Sequence, residues 1–360
     1  MTAIIGDMTG LQQLASDLGR QAAIGLDTEF MRERTYFARL CLLQLSFDTG
    51  AVCVDTLALP DLAPLRPSLQ SRDIVKVLHA ARQDLEVLGP AVGTVSGVFD
   101  TQVAAALAGH PAQIGYADLV RQVLGHSLPK GETRTDWSRR PLSAAQVQYA
   151  LDDVRHLLPL RGALTERLQE LGRWSWFVEE MNEFDVAGPY VTDPEQAWRR
   201  IRGVQELDES RQALARALAA WRERRAVQSD RPRSWILPDA ALRDLILYAP
   251  RSMEQLARIE ELPEGVRNNS GDDILCVIAS LQLPGDLPPL PRRQRREQAE
   301  NDLVRKLSQV TQQTGRELGI APEILATRRE LERLVAGARD GSPVCGWRQA
   351  VIGQRLLAAL

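Results

Sequence analysis

The sequence predicts an α/β domain followed by two all-helical modules, and three observations carry that reading. Up to about residue 185, short apolar and β-branched runs alternate with helix-like segments. Beyond it the strand signals disappear. A proline-rich stretch, Leu283 to Pro291, then separates two helical blocks and suits an extended, stiff linker. A chain of 360 residues also exceeds what one ordinary core organises, so more than one domain is expected.

Gln21 to Phe30, Leu40 to Phe47 and Ala51 to Asp55 read as three strands, divided by the charged turn Arg32 to Arg34 and by Asp48-Thr49-Gly50. That spacing suggests an antiparallel meander. Asp73 to His79 adds a β-branched run, Gln83 to Leu88 a helix, Val95 to Phe99 a further strand, and Thr101 to Ala108 an alanine-rich helix. One long helix is expected over Ser143 to Leu171, opened by Ser143 as N-cap and closed before Gly172.

Past Asp185 the reading is helical throughout. Ala197 to Val227 reads as two helices, followed by Asp239 to Tyr248, Ser252 to Ile259 (stopped by Leu262-Pro263) and Gly271 to Leu281. The last block holds Gln298 to Leu318, Pro322 to Ile324 leading into Arg328 to Gly337, and Gly346 to Leu360. The expected domains are therefore residues 1–185, 195–283 and 295–360, with a linker at 284–294.

Composition excludes several classes. With 44% hydrophobic and 25% charged residues the chain matches a soluble globular protein. No window is apolar enough for a membrane span, and Met1 to Thr9 lacks a secretory layout, so a cytoplasmic location is expected. Cys41, Cys53, Cys276 and Cys345 form no Cys-x-x-Cys pair and read as reduced core thiols, not as a zinc site. His79, His110, His126 and His156 are scattered without metal-ligand spacing and read as structural. The net charge of −3 leaves any nucleic-acid contact to local basic patches.

The chemistry concentrates in the first segment. Asp27 and Glu29 sit two apart at the end of an apolar strand, so their carboxylates point to one face. Such a pair repels unless a cation lies between, which makes a divalent ion the natural partner. Tyr149 and Asp153, four apart, share one face of the long helix; Asp152 at spacing three passes the same test, and spacing alone does not choose. Asp84 follows the fourth strand near a helix start, where a carboxylate is also an ordinary first-turn residue.

In this order, Leu26-Asp27-Thr28-Glu29-Phe30, His79 to Glu86 and Tyr149 to Val154 resemble the three exonuclease motifs of the DEDD superfamily, in its tyrosine-containing branch. Arg32 to Gln44 and Gly131 to Leu142 are similar to the ribonuclease D family in particular, and the likeness continues through both helical blocks. It implies a ribonuclease H-like mixed sheet flanked by helices over residues 1–185. It further implies a helicase-and-RNase-D C-terminal (HRDC) domain over 195–283 and a second, divergent copy over 295–360.

The same resemblance implies that Asp27, Glu29, Asp84 and Asp153 bind two divalent ions, Mg²⁺ by default and Mn²⁺ as the alternative, and favours Asp153 over Asp152. It implies that Tyr149 positions the attacking water; a phenol with an ordinary pKa near ~10 is a poor free base at neutral pH, so orientation is the smaller demand. The implied reaction is hydrolysis of single-stranded RNA from the 3′ end to nucleoside 5′-monophosphates, with tRNA precursors as the substrate class and a monomer as the default state. A single-strand DNA exonuclease and a non-catalytic RNA-binding scaffold are the alternatives. A helicase is excluded for want of a phosphate-binding Gly-x-x-x-x-Gly-Lys-Ser/Thr loop.

Candidate RNA-binding arginines are Arg222, Arg224, Arg225 and Arg231 in the first helical module and Arg292, Arg293, Arg295 and Arg296 beside the linker. Trp198, Trp221 and Trp347 fall in apolar helical patterns and read as core; Trp235, in a loop-like stretch, is open to base stacking.

Overall fold

A computed structural model of the chain describes residues 4–129, 135–186, 193–204, 207–281, 283–284 and 298–360. It divides into two compact units. The first comprises Met1–Met31, Leu40–Tyr190 and Arg295–Leu360; the second comprises Arg32–Arg39 and Val191–Gln294.

The first unit is built on strands β1 (Ile4–Ile5), β2 (Ala23–Met31), β3 (Arg39–Phe47), β4 (Gly50–Val54), β5 (Val75–Leu78) and β6 (Val98–Asp100), ordered β1-β4-β3-β2-β5-β6 across one sheet. β3 and β4 are antiparallel, with Gln44 opposite Cys53, whereas β1–β4, β2–β5 and β5–β6 are parallel. The sheet is mixed, as the sequence resemblance implies. Only residues 32–38 join β2 to β3. That link is far shorter than the dozen or so residues a parallel crossover takes, so this pair is antiparallel too.

Helices α1 (Met8–Leu18), α2 (Arg66–Gln70), α3 (Arg82–Val92), α4 (Thr101–Ala108), α5 (Tyr116–Leu124), α6 (Ala144–Arg155), α7 (Leu157–Glu170) and α8 (Trp174–Val186) complete this part of the unit. α1 and α5 have no counterpart in the sequence reading, although Leu11, Leu14 and Leu18 are buried at helical spacing behind an Asp7 N-cap. Ile24, Leu26, Leu43, Leu45, Val77 and Leu78 are fully buried in the principal core.

The single helix expected over Ser143 to Leu171 is two. Ser143 does cap α6, with a reciprocal bond from Gln146, but the helix stops at His156 (φ −102°, ψ 1°). Pro159 explains the break, because it has no N–H for the Arg155 carbonyl four residues back and its ring crowds that carbonyl.

Residues 298–360 form α14 to α18 of the same unit, once the second unit's α9 (Glu209–Ser229), α10 (Arg233–Ile236), α11 (Asp239–Tyr248), α12 (Met253–Leu256) and α13 (Glu264–Ser280) are counted. These are α14 (Gln298–Leu318), α15 (Pro322–Leu325), α16 (Arg328–Val335), α17 (Gly346–Arg348) and α18 (Gln354–Ala359). They pack into the principal core rather than beside it. Leu307, Leu325, Ile352 and Leu356 are fully buried there, and Trp347 stacks on Trp176 of α8 with centroids 4.5 Å apart. Arg173 donates to the Leu107 carbonyl at 2.7 Å and to that of Leu318, and Glu180 accepts from both the Trp347 indole and Arg348.

The second unit has its own core, including Leu214, Leu218, Leu242, Leu245, Ile246 and Ile274. α13 starts directly after Pro263, its N-cap, whereas α12 already stops at Leu256 with Ala257 as C-cap, so Leu262-Pro263 opens the next helix and does not end the preceding one. Inside this unit the segment Arg32–Arg39 is held at Tyr36, whose hydroxyl bonds the buried Glu223 while Arg233 lies 4.6 Å over its ring. Asp230 accepts from the Tyr36 and Phe37 amides at 3.1 and 3.0 Å. Cys41 and Cys53 are buried as expected, whereas Cys276 and Cys345 are exposed and are not core thiols. Among the described residues no helix is long and apolar enough to cross a membrane.

Candidate active site

β2 runs through the middle of the sheet and delivers Asp27 and Glu29 to the face covered by α6 and α7. Gly25, two residues earlier on the same face, shows how close that cover is. A Cβ there would sit 2.2 Å from Ser46 Oγ and 3.2 Å from both the Leu157 Cβ and the Val154 carbonyl. Ser46 Oγ in turn donates to that carbonyl at 2.8 Å. Only glycine lets α6 approach the strand closely enough for its side chains to meet those of β2.

Asp27, Glu29 and Asp153 each present a carboxylate oxygen within 4.8 Å of the others, and among the described residues no other group of acids, histidines or cysteines converges in this way. Of the two adjacent acids on α6, Asp153 belongs to this group and Asp152 does not. The Asp152 carboxylate instead accepts from Gln148 at 2.9 Å and pairs with Arg155 at 2.7 Å. Asp84 is outside the group of three; it is buried at the start of α3, and its carboxylate accepts a 2.5 Å bond from Thr28 Oγ1.

Asp27, Glu29, Tyr149 and Asp153 share a cleft of about 210 Å³ with His79, Tyr116 and Leu157. Tyr149 hydrogen-bonds Asp153 through its hydroxyl, and the buried Trp137 lies against its ring at 6.1 Å. Arg140 fastens the Trp137 segment by donating to both Asp55 oxygens at 2.6 and 2.8 Å and to the Cys41 and Trp137 carbonyls.

Burial and mutual repulsion raise the acids of the cluster. Burial, then the charges of Asp153 and Asp84, pushes Glu29 up to about 8. Burial raises Asp153 to about 7 despite the Tyr149 bond, and raises Asp84 to about 6 against the lowering effect of Thr28. Asp27 is driven well above the usual carboxylate range by burial and then by Asp84, Asp153 and Glu29. Burial and the neighbouring acids push the Tyr149 phenol above its ordinary value.

Two cleft residues have no place in the sequence reading as site residues. Tyr116 is one: its hydroxyl accepts from the His156 amide and donates to the Asp152 carbonyl, at 3.2 Å each. It thus occupies the gap in the helical ladder between the Asp152 carbonyl and the His156 amide, across the turn that carries Asp153. His79 is the other, with Nδ1 2.9 Å from Thr101 Oγ1 and Nε2 2.9 Å from the Ile114 carbonyl; burial lowers its pKa. Both ring nitrogens engage the fold, in keeping with a structural histidine that also lines the cleft. Tyr116 had no legible signal, because it stands alone 33 residues before Tyr149.

The proposed RNA-binding arginines divide. Arg222 is buried and bonds the Leu237 carbonyl and Asp239, which turns it inward; Arg224 and Arg225 pair with Glu195 and Asp273 while half exposed; Arg231 is exposed. Arg292, Arg293, Arg295 and Arg296 lie outside the described residues, as does most of the proline-rich stretch. Trp347 is core, Trp198 and Trp221 are part-buried against the second core, and Trp235 is 56% exposed.

Residues 2–169 match the family model of 3′-5′ exonucleases, and residues 211–278 match that of the HRDC domain. The chain is 38% identical to ribonuclease D of Granulibacter bethesdensis, over 97% of this chain and 90% of that one. It is 37% identical to ribonuclease D of Xanthomonas oryzae, over 95% and 94%. The chain belongs to the ribonuclease D family. Among solved structures, Escherichia coli RNase D, an exoribonuclease involved in structured RNA processing, matches with a TM-score of 0.86 at 29% identity, covering 99% of this chain and 98% of that one. The catalytic core of RRP6 from Trypanosoma brucei shares the fold at a TM-score of 0.57 and 23% identity, covering 77% and 79%. As a member of the ribonuclease D family the chain is a hydrolytic 3′→5′ exoribonuclease, and its acidic cleft lies within the exonuclease match.

Proposed function

We propose that this chain trims single-stranded RNA 3′ ends, tRNA precursors above all, with two Mg²⁺ ions held by Asp27, Glu29, Asp84 and Asp153. The observation that carries the reading is the meeting of three carboxylates within 4.8 Å, beside a tyrosine, in a cleft. Their donor set suits a hard divalent cation: all oxygen, and each acid shifted toward its neutral form by burial and like charge until positive charge relieves it. Asp84, held by Thr28 and close enough to raise Asp27 and Glu29, would complete the set.

When bound, such a pair of ions supplies Lewis-acid stabilisation of the charge that develops on the phosphate oxygens. Tyr149 keeps its proton, so it acts by orienting the attacking water instead of removing a proton from it. Glu29, at the edge of the cluster, is placed to accept a hydrogen bond from the terminal 3′-hydroxyl, which restricts the site to chain ends. His79 and Tyr116 close the cleft wall and limit solvent around the scissile phosphate.

Timed digestion of a tRNA carrying a 3′ extension tests this reading. Wild type in Mg²⁺ should shorten it stepwise to nucleoside 5′-monophosphates, whereas Asp27→Asn, and wild type in chelator, should leave it intact. Internal cleavage, or shortening that survives chelation, would defeat it.

A further inference from the structure

Gln44 is fully buried in β3, and neither its amide nitrogen nor its amide oxygen has a hydrogen-bond partner among the described residues. Buried polar groups are almost always paired, so a carboxamide with both ends free needs a physical reason. Its cross-strand neighbour on β4 is Cys53, which burial pushes up to about 12, a sign of apolar surroundings on that side. The other side is β2.

The contact between Gly25 and Ser46 fixes how β2 and β3 lie together. Both residues face the α6–α7 layer, Ser46 through its bond to the Val154 carbonyl. Side chains alternate along a strand, so Asp27 and Glu29 share the face of Gly25, while Gln44 and Leu42 share that of Ser46. The strands are neighbours and run in opposite directions. Two residues on from Gly25 and two back from Ser46, Asp27 therefore meets Gln44. Facing Cβ atoms in such a pair lie about 4.5–5.5 Å apart and diagonal ones about 7–8 Å, both within a glutamine's reach.

We infer that Gln44 is a positioning residue for the metal site: unpaired here, its carboxamide NH₂ donates to the Asp27 carboxylate once that acid is ionised beside a divalent cation, and so fixes the orientation in which the carboxylate meets the ion. The inference rests on the two-metal reading of the cleft. It accounts for a polar side chain in a place where an aliphatic one would pack at lower cost. Asp27 faces the charges of Asp84, Asp153 and Glu29, and a side-chain donor beside it would offset them. Loss of a partner that orients a metal-binding carboxylate typically weakens metal affinity about 10–100-fold.

The experiment compares wild type with Gln44→Leu and Gln44→Met by calorimetric titration of Mn²⁺ and by thermal melting in chelator, without RNA. Both variants should bind Mn²⁺ about tenfold or more weakly while melting in chelator at or above the wild-type temperature, because an unpaired buried amide has been replaced by an apolar group. Unchanged Mn²⁺ affinity overturns the inference, as does a parallel loss of affinity and of metal-free stability, which marks a packing residue. Gln44→Met, unbranched and nearest in length, decides the matter should the leucine variant not fold. Absence of Mn²⁺ uptake by wild type would overturn the two-metal reading and this inference together, whereas wild-type uptake with unaltered variants overturns this inference alone.

Discussion

The Tyr116 hydroxyl stands between the Asp152 carbonyl and the His156 amide, where a direct helical bond would otherwise run. An inserted group of this kind bends or interrupts a helix, and here it does so across the turn that carries Asp153. The break that Pro159 demands is thereby given a fixed geometry. Tyr116→Phe should cost about 1–3 kcal/mol of stability through the two released backbone groups. Displacement of Asp153 should slow the reaction by up to about 100-fold. Melting curves with single-turnover rates measure both, and a variant equal to wild type in each would refute the role.

Asp153 and Asp152 are adjacent but face different surroundings, so their amide variants should separate cleanly. Asp153→Asn should lower activity by more than about 100-fold, the upper end of what an outer partner alone contributes to a metal site. Asp152→Asn, which loses a partly exposed arginine pair, should stay within about threefold, as surface pairs are worth at most about 1 kcal/mol. Rates of oligonucleotide shortening decide it. A reversal of the order would move the ligand to the wrong side of the helix.

The acid cluster makes metal-free stability fall as pH rises. Asp84, Asp153 and Glu29 hold their protons to about 6, 7 and 8, against ordinary values of 3.8, 3.8 and 4.5. Between those limits the folded state binds more protons than the unfolded one, so stability declines with pH across that window. Melting temperature in chelator should drop from about pH 5 to about pH 8, and Mg²⁺ should raise it most at the alkaline end. A rise in chelator over the same range would contradict the assigned electrostatics.

Tyr149→Phe keeps the ring that packs on Trp137 and removes only the hydroxyl. The expected result is a rate reduced by about 10²–10⁴-fold with the fold intact and Mn²⁺ affinity nearly unchanged. Calorimetry alongside turnover distinguishes this from loss of metal.

Arg231, exposed on the second unit, and the Arg292 to Arg296 group are the remaining candidates for phosphate binding. Their replacement by alanine should reduce the salt dependence of single-stranded RNA binding by about 0.7 in log–log slope for each phosphate no longer neutralised. Hydrolysis of very short substrates should be spared. A slope that does not move would remove them from the interface.

How legible was this molecule in its sequence? The meander and the Asp27–Glu29 pair were readable because strand periodicity is local. Asp153 over Asp152 was not readable from spacing, since both lie on helical neighbours of Tyr149 and only the tilt of α6 on the sheet separates them. Tyr116, Trp137 and Gln44 act across the fold, between segments distant in the chain, which no local pattern announces. The long helix was misread for a simpler reason: Pro159 was present and breaks helices, but the apolar spacing on either side of it continued undisturbed.

The packing of α14 to α18 against α8 and Arg173 sets the order in which the nuclease can come into being. Arg173 reaches Leu318, and Trp347 reaches Glu180, across 145 and 167 positions of the chain. Strands that emerge early from the ribosome therefore wait for helices that emerge much later, and joining segments so far apart in sequence is intrinsically slow. A polypeptide whose synthesis is interrupted before residue 298 is expected to carry every acid of the cleft and still fail to degrade RNA.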